Sequence, residues 1–168
     1  MSPSNTAAIT RQPLRVRHSH TQSIHAAPGE VFPLLCPVRE LDWAPGWQPD
    51  WVISASGYAE AGCVFQTPGS ADGQTPAATW VISDHDPASG RVGMIKVIPG
   101  HTVTRLQASL QADGKGHTRA TIAYEFTALG ADGERFVAGC TADWYRQFMA
   151  NWETAMNHYL ATGEKLAT

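Results

Sequence analysis

The chain has 168 residues, 43% of them hydrophobic, which fits one domain that buries an apolar core without metals or disulfides. Its 12 basic and 15 acidic residues give a net charge of -3 and form no long block of either sign. That balance argues against a polyanion partner, and the one basic cluster, Arg11, Arg15 and Arg17, is too small for a nucleic-acid footprint. Cys36, Cys63 and Cys140 are odd in number, widely spaced and set among apolar neighbours, the pattern of reduced, buried thiols in a cytoplasmic protein. The N-terminus lacks a charged segment followed by an apolar run, and no stretch approaches the roughly 18 apolar residues of a membrane span.

Residues 1–12 are small, polar and aperiodic and read as a flexible leader, with one domain expected over 13–165. From Leu14 to Ile24, Leu14, Val16, His18, His20, Gln22 and Ile24 share one parity, which predicts a half-buried strand. Pro28 at a first helical position and Glu30 in the first turn predict a short helix, ended or kinked by Pro37. The segment from Pro37 to Trp47 then forms a second short helix or a tight connection.

Six further strand-like runs follow: Trp51–Ser56, Cys63–Thr67, Ala77–Asp84, Arg91–Ile98, His101–Gln111 and His117–Leu129. Gly-containing turns separate them, so antiparallel neighbours are expected, and Ala120, Ile122, Tyr124 and Phe126 share one face. Residues 134–162 lack proline and repeat apolar side chains at helical spacing, including Trp144, Phe148, Trp152 and Met156. They predict one helix of about 29 residues capped by Gly163. A seven-stranded antiparallel sheet twists, and curled around such a helix it leaves a space for side chains or a ligand.

This order of elements, over about Pro13 to Lys165, resembles the START-like helix-grip superfamily (SRPBCC), which includes lipid-transfer domains, polyketide cyclases and pollen allergens that bind hydrophobic plant metabolites. The strings from Cys36 to Trp47 and from Glu60 to Thr67 look like those of a bacterial branch and carry no assigned chemistry. The resemblance implies an α+β helix-grip fold, a curved sheet wrapped around a long C-terminal helix with two short helices after strand one. It spans binders, cyclases, dehydratases and chaperone regulators, and so implies fold more firmly than activity.

Of the six tryptophans, Trp43 and Trp47 flank Pro45-Gly46 near the expected mouth of the cavity, and Trp80, Trp144 and Trp152 are further candidates for its walls. Phe148 and Tyr124 join them, with the Tyr124 hydroxyl placed to orient a ligand oxygen. His18 and His20 leave one face of strand one and would put two imidazoles in an apolar space if that face is the inner one. Glu40 and Asp42 are the sharpest acid-base candidates, since a carboxyl held against apolar walls has a raised pKa, although Arg39 stands ready to pair with either. Glu125 and Arg105 read as an outward cross-strand pair. No metal or cofactor is expected: no third ligand has a spacing that favours it, and glycine-rich phosphate loops and nucleophile elbows are missing.

The leading expectation is a binding or carrier protein for a small hydrophobic or amphipathic molecule. The alternatives are a cyclase- or dehydratase-like enzyme using Glu40, Asp42, His18, His20 or Tyr124, and a protein-interaction module with an exposed apolar patch.

Overall fold

A computed structural model of the chain describes Gln12 and residues 14–167. The leader expected over 1–12 therefore lies, apart from Gln12, outside the described residues, as does the expected domain start at Pro13. The elements run β1 (Arg15–Ile24), α1 (Pro28–Val31), a 3-10 turn (Phe32–Leu34), α2 (Glu40–Trp43), β2 (Trp51–Ile53), β3 (Val64–Thr67), β4 (Ala78–Asp86), β5 (Arg91–Ile98), β6 (Thr102–Ala112), β7 (Thr118–Ala128), α3 (Ala131–Gly139) and α4 (Ala142–Thr162). The strands form one seven-stranded sheet in the order β1-β7-β6-β5-β4-β3-β2, and every pairing is antiparallel.

That order puts β1 and β2, joined through α1 and α2, at opposite edges of the sheet. The connection must cross the whole sheet, and this is what brings Glu40 and Trp47 over its inner face. A register shift between Ile82 and Asp84 adds local twist to β4. Inner-face residues such as Ile24, Phe65, Ile82, Met94, Leu110 and Ile122 are buried, while the alternate positions face solvent. The outward pair Arg105 and Glu125 forms, at 3.9 Å in register across β6 and β7.

Strand two is shorter than the expected Trp51–Ser56. The Glu60 carboxylate accepts the Ala55 and Ser56 amides, and the Ser54 hydroxyl donates to the Tyr58 carbonyl. These local bonds give the backbone an alternative to the ladder.

The single helix expected over 134–162 is two helices. Gly139 weakens the helix before Cys140, whose ψ of 61° leaves helical space. Thr141 then starts α4 as its N-cap, its hydroxyl accepting the Trp144 amide at 3.2 Å. The Cys140 carbonyl freed by the break is bonded by the His18 Nε2 at 2.6 Å. α4 ends as expected at Gly163, which adopts φ 74°.

α4 packs on β1 and is fastened to it along its length. The Gln22 amide donates to the Met149 carbonyl, the Tyr145 hydroxyl to the Ile122 carbonyl on β7, and the backbone amides of Ser23 in β1 and His25 just beyond it to Glu153 and Asn157. The helix side chains thereby occupy donors of an edge strand that would otherwise stay open. The face of α4 that is fully buried carries Tyr145, Met149, Ala155 and Met156.

Candidate functional site: a cavity between the sheet and the C-terminal helix

A cavity of about 360 Å³ lies between the inner face of the sheet and α4. Phe65, Trp80, Met94, Leu106, Tyr124 and Phe126 line it from the sheet, and Trp144, Phe148 and Trp152 from α4. Glu40, Pro45, Gly46 and Trp47 close it from the crossing connection. The aromatic walls are mutually packed: Phe65 stacks on Trp80 at 5.4 Å, Trp47 meets both edge-on, and Trp144 stacks on Phe148 at 5.4 Å. Each aromatic is thus held by a neighbour, which presets the shape of the cavity before anything enters it.

Three polar groups enter this apolar space. Glu40 is at the start of α2, and its carboxyl forms no hydrogen bond or ion pair among the described residues. Burial raises its pKa to about 8, so it holds its proton at neutral pH. Tyr124 has its phenol pushed up by burial first and then by the nearby Glu40 and Tyr145. Lys96 stands on β5 between Met94 and Ile98, with its ammonium 5.1 Å from the Trp80 ring centroid, and burial lowers its pKa. Its register partners are Trp80 on β4 and Thr104 on β6, and Thr104 also lines the cavity.

The structure separates the other candidates. Trp47, Trp80, Tyr124, Trp144, Phe148 and Trp152 meet at the cavity with Glu40. Trp43 instead is fully buried in the core, against Trp152, its indole donating to the Leu34 carbonyl. Trp47 donates to the Pro37 carbonyl at 2.8 Å, which fixes the connection while its ring faces the cavity. Asp42 points away, bound to Arg39 at 2.8 Å in an exposed pair. His18 stacks on Tyr145 and holds the break between α3 and α4, and neither it nor His20 lines the cavity. Among the described residues no three His, Cys, Asp or Glu side chains gather to hold a metal.

Lys96 was not legible as a site residue from its neighbours in sequence alone, yet a signal was there. Lys96 shares its parity on β5 with the buried Val92, Met94 and Ile98, and a lysine in such a row is half-buried rather than free in solvent. Thr102 and Thr104 repeat the pattern on β6, as buried polar residues in the row of Leu106 and Leu110.

A larger depression, about 560 Å³, lies on the outer face of the sheet over Gly93 and Ala123. Two of the arginines at its border are engaged, Arg91 with Asp84 and Asp86 and Arg105 with Glu125. It offers no apolar enclosure, so the inner cavity is the stronger site.

No family model matches the sequence, and no curated protein does either. Solved structures match over nearly the whole chain. Norcoclaurine synthase from Thalictrum flavum, in complex with dopamine and hydroxybenzaldehyde, superimposes with a TM-score of 0.67 at 11% identity, covering 89% of this chain and 88% of that one. Major latex-like protein 151 from Panax ginseng gives 0.64 at 13% identity, with 87% and 97% covered. DynU16, a protein of the dynemicin biosynthetic locus, gives 0.54 at 18% identity, covering 89% of this chain and 48% of that one. The chain has the helix-grip fold of these proteins, with a cavity between its curved sheet and C-terminal helix. Among the described residues no helix is long and apolar enough to cross a membrane.

Proposed function

We propose that the chain binds a small amphipathic molecule with an aromatic or otherwise flat apolar body, held in the inner cavity as by a receptor or carrier. The observation that carries this reading is the composition of the wall: packed aromatics surrounding Glu40, Tyr124 and Lys96, whose polar ends find no hydrogen-bonding partner among the described residues. Polar groups that face an apolar cavity without protein partners can be met by a ligand with one or two polar atoms. The volume sits at the lower end of the roughly 300–1,000 Å³ range of small-molecule sites, which favours a compact ligand. The complex of norcoclaurine synthase with dopamine and hydroxybenzaldehyde supports small aromatic compounds as an occupant class for this fold. The three free, buried cysteines fit action in a reducing compartment such as the cytosol.

A titration of tryptophan fluorescence with 2-naphthol tests the reading. Saturable quenching is expected because Trp47, Trp80, Trp144 and Trp152 all face the cavity. Linear, non-saturating quenching, unchanged when Trp47 is replaced, would oppose it.

One observation favours a second reading, an enzyme of the cyclase or dehydratase kind. A carboxyl with its pKa near 8 gives and takes protons at neutral pH, and Glu40 has one beside the Tyr124 phenol. In that reading Glu40 is the acid or base and Tyr124 orients the substrate oxygen. Turnover of an added polyketide-like substrate, lost in Glu40→Gln while 2-naphthol binding remains, separates it from simple binding.

A further inference from the structure

We propose that Lys96 captures carbonyl compounds of the aromatic-aldehyde class as a reversible imine inside the cavity. This rests on the cavity-binding reading and goes beyond it by making one wall residue a nucleophile.

The sequence has three lysines, of which Lys115 and Lys165 are exposed and Lys96 alone lines the cavity. A lysine kept for solubility would face water, and one kept to neutralise a carboxylate would stand beside it. Lys96 is instead half-buried on the inner row of β5 between Met94 and Ile98, flanked by Trp80 and Thr104 across the strands, and makes no ion pair among the described residues. The Trp80 face holds its stem and amine over the cavity floor. An amine that has lost part of its hydration among apolar walls holds its proton less tightly, which is the usual way a protein makes lysine nucleophilic, and burial acts on the half-buried Lys96 in that sense. The aromatic side chains that line the cavity favour a flat, apolar body on the carbonyl partner.

The step balances without a further reagent. The Nζ lone pair of the neutral amine adds to the carbonyl carbon, and the nitrogen proton passes to the oxygen to give a carbinolamine. The hydroxyl takes a proton from water and leaves as water, and the iminium nitrogen returns a proton to water. Amine plus carbonyl thus gives imine plus water, with no net change in protons.

The test uses 2-naphthaldehyde with sodium cyanoborohydride, beside naphthalene-2-methanol, which has the same body and cannot form an imine. Both should quench tryptophan fluorescence saturably. Only the aldehyde should give a reduced adduct, with the mass of the aldehyde less one oxygen, and peptide mapping should place it on Lys96 with Lys115 and Lys165 unmodified. Lys96→Arg should remove the adduct. Quenching by both probes with no adduct, or with adducts spread over Lys115 and Lys165, overturns the role of Lys96 and leaves cavity binding intact. Quenching by neither overturns both. The mapping on the wild-type protein decides the matter even if a variant fails to fold.

Discussion

Lys96 stands directly opposite Trp80 in the β4–β5 register, and its ammonium lies 5.1 Å from the indole centroid on the floor of the cavity. The ring gives the charge a favourable contact in a place where burial has cost it part of its hydration. Trp80→Leu should therefore lower the pKa of Lys96 further and speed reductive trapping of 2-naphthaldehyde at neutral pH. Trapping rate against pH, compared between the variant and the wild type, checks this.

Glu40 makes stability depend on pH in a defined direction. Its native pKa of about 8 exceeds the ordinary carboxyl value of 4.5, so between those limits the native state holds a proton that the unfolded chain has released. The contribution is level below about pH 4.5, is lost as pH rises, and levels again above about pH 8. Glu40→Gln should remove that slope and make the protein more stable than wild type at pH 8, by about 2–4 kcal/mol. Urea denaturation of both proteins at pH 5 and pH 8 measures the difference.

Trp43 and Trp47, four residues apart, should separate cleanly. Trp43 is fully buried in the core and donates to Leu34, so Trp43→Ala should cost about 3–5 kcal/mol of stability. Trp47 walls the cavity, and Trp47→Ala should cost less stability but weaken 2-naphthol binding by about tenfold or more. Thermal unfolding and fluorescence titration of the two variants read the two effects independently.

Most of the fold was legible in the sequence because its causes are local. Period-two alternation marked the strands, and glycine turns such as Pro99-Gly100 forced antiparallel neighbours. The break between α3 and α4 was hidden because apolar spacing continues through Cys140, and what sustains it is long-range: His18, on β1, takes the Cys140 carbonyl. The site divides in the same way. Trp47, Trp80, Tyr124 and Glu40 were identifiable by residue type and parity, but whether Glu40 or Asp42 faces inward depends on how the connection crosses the sheet. Arg39 settled it by pairing with Asp42 outside. Lys96 went unnoticed because a single lysine in a strand reads as an outward charge until the buried row around it is known.

The joint between the helices gives a prediction of its own. Thr141→Ala removes the hydroxyl that accepts the Trp144 amide and should lower stability by about 1 kcal/mol. Gly133→Ala should do more, about 1–3 kcal/mol, because a Cβ there would overlap the His101 backbone where α3 lies against the start of β6. Chemical denaturation of both variants, with the native circular dichroism as control for fold, checks the order.

The most direct measurement is native mass spectrometry of the purified protein against its denatured mass, first as isolated and then with 2-naphthol added. A defined small-molecule adduct carried from the host, or a one-to-one complex with the added compound that weakens in Trp47→Ala, is the predicted result. An apo mass as isolated, with no one-to-one complex at any workable concentration of 2-naphthol, would contradict the claim that the cavity is a ligand site.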